Sequence, residues 1–328
     1  MMVLPRAGSK RRALSILFVL AALIASDPAL AWNAAGHRLS AAVAWRRMDD
    51  ASRLAVGHLL ALHPEYAAWI ARSRSTASDE ASRAYIAFVE ASTWADDIKR
   101  DARFHEYDAV PGTPQDGYTD MAQHRNWHYA DQPMFSTPIP LPGMNRERTG
   151  DGELDIRLAL LKHSLADPRE SDRQRANALV WLIHLVGDAH QPLHTVSRID
   201  SEGRSDDGGN ALWIDNPFHP RRRDMTLHAY WDDLPGPPWL RGSRLEKAAE
   251  RLMPLGGEPR SPGSASSWMK EGRALAVSVV YEGLTGEVPS LSAEYHERAQ
   301  LTAQERVAIA GKRLALVLRA VFRTSVSN

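Results

Sequence analysis

Residues 181–195 read WLIHLVGDAHQPLHT. Their apolar positions continue a helical periodicity that begins near residue 172, and Pro192, which has no N–H to give a helical ladder, ends it. The stretch therefore predicts a buried helix over 172–189. His184 and Asp188 are four residues apart, so on that helix they stand about 40° apart on one face and can meet at a single site. His190, two residues beyond Asp188, points to nearly the opposite side. Past the Pro192 break, His194 leaves the helix axis and is able to turn toward a second centre near the first. A buried, hydrogen-bonded core histidine accounts for His184 taken alone. It accounts less well for four such groups in eleven residues.

Working outward, the same four-residue spacing recurs in LHAYWDD (227–233), where His228 and Asp232 share a helical face. In STWADDIKRD (92–101), Asp96 follows an apolar helical run, with Lys99 close behind it. Standing alone, Asp96 reads as a solvated surface carboxylate beside Asp97. HRNWHYAD (124–131) offers His124 and His128 four apart, followed by Tyr129 and Asp131. WNAAGH (32–37) places His37 five residues after Trp32. An amine and carbonyl newly exposed at Trp32 are able to chelate a metal together with His37, although a tryptophan at a processed N-terminus ordinarily just packs.

Composition limits what these groups can do. The chain has 328 residues, 44% hydrophobic and 24% charged, with no cysteine. A sizeable core is available, the composition argues against disorder, and the absence of cysteine excludes disulfides, zinc ribbons, thiolate sites and cysteine nucleophiles. Any metal must be held by His, Asp and Glu. All thirteen histidines lie after residue 31. Before that point, Arg6, Lys10, Arg11 and Arg12 precede an apolar run, Ala13–Ala25, too short to span a bilayer, and Ala29-Leu30-Ala31 forms an A-x-A signature. Residues 1–31 read as a secretory signal cleaved between Ala31 and Trp32, giving a secreted or periplasmic protein without stable membrane anchoring. The mature part carries 36 basic and 39 acidic residues, a net charge of −3. A binder relying on phosphate neutralisation alone usually carries a strong basic excess, so an anionic substrate needs another source of positive charge, such as metal.

The periodicity predicts helices over about 36–47, 49–63, 79–101, 155–166, 172–189, 225–233, 243–253, 264–283 and 297–323. The stretches 103–123, 132–152, 197–223 and 234–242 read as loops. Strand-like alternation is scarce, and neither a linker nor a repeat stands out. The expected fold is all-α, with residues 32–328 as one domain.

In their order, the Trp-x4-His start (Trp32, His37), WAD (94–96), the HYAD run (128–131), H-x3-D with QPLH (184–194), GGN (208–210), H-x3-D (228–232) and AGKRLA (310–315) resemble the zinc-dependent single-strand nucleases and 3′-nucleotidases. This type I nuclease family shares its multi-helix fold with bacterial zinc phospholipase C. The resemblance implies three zinc ions in a cleft. It gives Asp96, His128, His184 and Asp188 to the first, His194, His228 and Asp232 to the second, and the amine and carbonyl of Trp32 with His37 to the third, Asp188 bridging the first and third. It implies that Asp96 orients the attacking water, that Lys99 contacts the transferring phosphate, that Tyr129 stacks a base, and that Asp131 and Asn210 lie near that base. The implied substrates are single-stranded RNA and DNA, cut to 5′-phosphorylated products, and 3′-nucleotides; no obligate protein partner is evident. Asn33 stands where the family usually has Gly, and Asp207 where a basic residue is common. Phospholipase C is the nearest rival, but its first histidine lies further from the N-terminal Trp and its last ligand is typically Glu. A non-catalytic zinc-binding protein would leave Lys99, Tyr129 and Asp131 idle.

Overall fold

The computed structural model describes residues 32–73, 79–106, 115, 117–136 and 150–324. The leader, with its predicted cleavage, and the Pro138–Pro142 part of the predicted 132–152 loop lie outside the described residues.

Eleven α-helices run along the described residues: α1 (Ala34–Arg47), α2 (Asp50–Ala61), α3 (Tyr66–Arg72), α4 (Glu80–Ala91), α5 (Trp94–Asp97), α6 (Leu154–Ala166), α7 (Asp172–Asp188), α8 (Leu227–Asp233), α9 (Gly242–Leu252), α10 (Ala265–Leu275) and α11 (Ala293–Thr324). The all-α expectation holds. Side-chain caps fix several starts. Asn33 Oδ1 accepts from Ala35 N at α1, Asp49 caps α2, Thr226 caps α8, and Ser171 with Gln174 forms a capping box at α7. α7 is buried along its second half, and α1, α2, α6 and α11 surround it on one contiguous core. The long α11 lies against α1 at Gly311, where a Cβ would come within 2.4 Å of Ser40 O. That close crossing accounts for the glycine of AGKRLA.

Three predicted boundaries shift for physical reasons. The run 79–101 is not one helix. Ser92 Oγ donates to Val89 O and Thr93 Oγ1 to Glu90 O, which competes with the helical ladder, so α4 stops at Ala91, a short α5 follows, and Ile98–Arg100 tightens into a 3-10 turn. The run 264–283 becomes α10 followed by a π turn at Ala276–Val280, and 225–233 begins as a strand before α8. α3 forms between the predicted helices 49–63 and 79–101, and two small sheets fall in or at the edges of the predicted loops. β1 (Gln132–Phe135) pairs in parallel with β2 (Val196–Ile199), Gln132 opposite Val196; β3 (Trp213–Asp215) pairs antiparallel with β4 (Asp224–Thr226), Trp213 opposite Thr226.

Candidate metal centre

α1, α5, α7, α8 and two 3-10 turns, Arg125–His128 and Pro192–His194, bring their polar side chains to one place. Three groups result: His37, His184 and Asp188; Asp96, His128 and His184; and His194, His228 and Asp232. Within each, the candidate ligand atoms lie within 4.8 Å of one another. All eight side chains are buried.

Asp188 divides its carboxylate between two of the groups. Oδ2 lies 2.9 Å from His128 Nδ1 and 3.2 Å from His184 Nε2, while Oδ1 lies 3.3 Å from His37 Nε2. Asp96 straddles them as well, with Oδ1 3.7 Å from His184 Nε2 and Oδ2 3.9 Å from His37 Nε2. The His37 ring stacks on His184 at 3.9 Å and fits only because residue 187 is glycine, since a Cβ there would come within 2.8 Å of His37 Nδ1.

Backbone carbonyls set the histidine tautomers. His184 Nδ1 donates to Ser92 O (2.7 Å), the carbonyl released by the break after α4; His194 Nδ1 donates to His128 O (2.6 Å) and His228 Nδ1 to Gly208 O (2.7 Å). Each Nε2 therefore presents a lone pair, and those of His194 and His228 face each other 3.1 Å apart. Two lone pairs at that distance repel unless a cation sits between them. Tetrahedral ligands with 2.0–2.1 Å bonds stand about 3.3 Å apart, which matches these separations. Imidazoles anchored by their second nitrogen to carbonyls are also the usual support of a metal site.

Electrostatics agree with this fit. Burial holds His37, His128 and His194 well below the ordinary imidazole range, so they stay neutral donors. At His184 burial works in the same direction, but Asp188 and Asp96 outweigh it and the net shift is upward. Burial pushes Asp188 up to about 6, against the pull of His184, and Asp232 well up despite a hydrogen bond from Gln191 Nε2 (2.9 Å). Asp96 instead sits low, because Lys99 Nζ, 2.8 Å from Oδ1, overcomes the cost of burial. Among the described residues, Lys99 is the one lysine or arginine paired with any of the three carboxylates. His37 Nε2 and Asp188 Oδ1 are buried without hydrogen-bond partners. The donor set thus suits divalent metal.

Beside the three groups opens a cleft of about 180 Å³, lined by Lys99, Arg125, His128, Tyr129, Asp131, His194, Asp207, Asn210 and His228. Tyr129 is half-buried, its hydroxyl donating to Asp151 (2.7 Å). Asp131 accepts from Ser197 (2.7 Å); burial, with Asp207 and Asp151 nearby, raises its carboxyl above the usual range. Asn210 Nδ2 donates to Asp207 O (2.9 Å). Asp131 and Asp207 hold left-handed φ values of 45° and 52°, a strained backbone that concentrates at functional clefts.

Trp32 is fully buried beside this centre, and Asn33 N donates to Asp232 O (3.1 Å). Asn33 caps α1 and donates to Asp233 and to Gly236 O, tying the start of α1 to the end of α8. Two other histidines stay out of the centre. His190 donates to Val186 O and faces Arg313 Nη1 (3.0 Å), and His124 stacks on Trp127 because the 125–128 turn is 3-10, which breaks the assumed helical spacing. Gln191 and Arg125 were not singled out from the sequence. The QPLH run already contained Gln191, but nothing in it showed that the side chain would reach Asp232.

The sequence matches the family described as S1/P1 Nuclease over residues 32–323. Endonuclease 2 of Arabidopsis thaliana is 27% identical over 178 residues, a stretch covering 50% of this chain and 58% of that protein. The chain thus spans little more than half the length of that relative.

Proposed function

Because the chain belongs to the S1/P1 nuclease family, whose members are metal-dependent, we propose that it cuts single-stranded RNA and DNA to 5′-phosphorylated products and removes the phosphate of 3′-nucleotides. The observation that carries the metal dependence is the facing pair of Nε2 lone pairs on His194 and His228. In this reading the centre holds three zinc ions: one on Asp96, His128, His184 and Asp188, one on His194, His228 and Asp232, and one on His37 and Asp188 with the amine and carbonyl of Trp32. When bound, the metal supplies Lewis-acid charge to the phosphoryl oxygens and eases deprotonation of the attacking water.

The chain's own residues do the rest. Asp96, which reaches two of the histidine groups, orients the attacking water. Lys99, held by Asp96 and open to the cleft, offsets charge on the transferring phosphate. The Tyr129 ring offers a stacking surface, and Asp131 and Asn210 present polar groups to the base edge. The family match begins at Trp32, which supports leader removal before that residue and a secreted or periplasmic location. The test is a substrate panel on processed protein: a 3′-nucleotide, single-stranded RNA and DNA, and phosphatidylcholine. Release of phosphate and of 5′-phosphorylated fragments with no lipid turnover is expected. Turnover of the lipid alone, or of none of the panel, contradicts the proposal.

A further inference from the structure

The longest unbroken basic run after the leader is Arg221-Arg222-Arg223, at the tip of the β3–β4 hairpin between Asn210 and α8. Asn216 N donates to Arg223 O (2.8 Å), and the Arg223 guanidinium grips Asp215 with two bonds of 2.6 and 2.7 Å, so the tip is shaped. It is also moored to the helix carrying His228 and Asp232. Arg222 Nη1 lies 3.9 Å from Asp233, next in sequence to Asp232. Phe218 lays one ring face on His296 (4.4 Å, 11° between planes), and His296 Nδ1 accepts from the Tyr230 hydroxyl (2.9 Å) on α8. What remains outward is Arg221, Arg222, Phe218 at 40% exposure and Trp213 at 48%.

We propose that this hairpin is a binding arm for the part of a single strand that extends beyond the cleft, Arg221 and Arg222 meeting backbone phosphates while Phe218 and Trp213 offer faces to unpaired bases. The inference rests on the nuclease reading above and deepens it. The cleft is only about 180 Å³, so a longer strand has to leave it, and the arm springs from its wall: Asn210, just before β3, and His228, just after β4, both line the cleft, and Leu227 N donates to Leu212 O (2.8 Å) between them. Arginine suits the task because its planar fork pairs with phosphate and stacks on bases. An anionic membrane is the other partner such chemistry could meet, but Phe218, with one face closed by His296, is placed to stack rather than to insert.

The experiment compares the full processed protein with an Arg221→Ser/Arg222→Ser variant and, separately, Phe218→Leu. Substrates are a single strand of about 12 nucleotides, a dinucleotide and a 3′-nucleotide; anionic vesicles serve as a binding control. For the long strand, KM rises about tenfold in the double variant and the slope of log KM against log salt flattens by about two. Phe218→Leu raises the same KM severalfold. Neither change alters kcat or the constants for the two small substrates. An unchanged KM for the long strand overturns the arm, and so does an equal loss on all three substrates. Loss of vesicle binding with strand kinetics intact assigns the surface to membrane instead and also overturns it. A wild-type protein that cleaves none of the nucleic acids refutes the nuclease reading, and the arm falls with it.

Discussion

Asp188 and His228 are both buried donors, yet the geometry gives them different weights. Asp188 spreads its two oxygens over two groups, whereas His228 serves one. Ligand binding to the native state stabilises it in proportion to what is bound, so Asp188→Ala should lose roughly two metals and show the larger melting drop, and His228→Ala roughly one. Elemental analysis with thermal melting checks this, and equal losses in the two variants contradict it. The proposed N-terminal ligand makes a second demand. Only cleavage before Trp32 creates a free amine, and an amide nitrogen is a poor zinc ligand. A protein with a Met or tag ahead of Trp32 should fold normally, hold about one zinc less and turn over a 3′-nucleotide slowly. Matched zinc content and activity in the extended and processed proteins show that the amine is not a ligand.

Among the elements, α1 matters because it carries His37 from the Trp32 end and is held by α11 across Gly311. Gly311→Ala forces a Cβ into Ser40 O and Val43, so the helices must separate. Overpacking of this kind costs about 1–3 kcal/mol. Denaturant titration should show that loss together with weaker metal retention; unchanged stability contradicts the close crossing. The element scale also shows what was legible in the chain. α7 was readable to within a residue, because a long periodic run bounded by Ser171 and Pro192 leaves little choice. The His184/Asp188 and His228/Asp232 pairs followed from helical spacing alone. His128, Asp96 and His37 come from separate segments, and local spacing does not say which of them meet. The strands were invisible for another reason. Pieces of three or four residues carry too little alternation to register, and the Ser92–Thr93 break rests on hydroxyl bonds that a hydrophobic pattern cannot report.

At the scale of the whole molecule, burial of histidines couples stability to pH. His63, stacked on Trp69 and edge-on to Trp94, is pushed down to about 4 by burial, against the pull of Glu65. Between pH 6.5 and 4 the unfolded chain takes up a proton there that the folded protein refuses, so stability present at neutral pH is lost as pH falls through that window. The shift amounts to about 3 kcal/mol. Unfolding free energies of wild type and His63→Gln should therefore converge by that amount on acidification; parallel pH profiles contradict it. The larger coupling is between the fold and the ions its three buried groups are built to take. Its most direct measurement is the zinc content of processed protein, paired with turnover of a 3′-nucleotide before chelation, after chelation and after zinc is restored. About three zinc ions per chain, activity abolished by chelation and recovered with zinc are the predicted result. Fewer than two tightly held metals, or hydrolysis that survives their removal, would contradict the account.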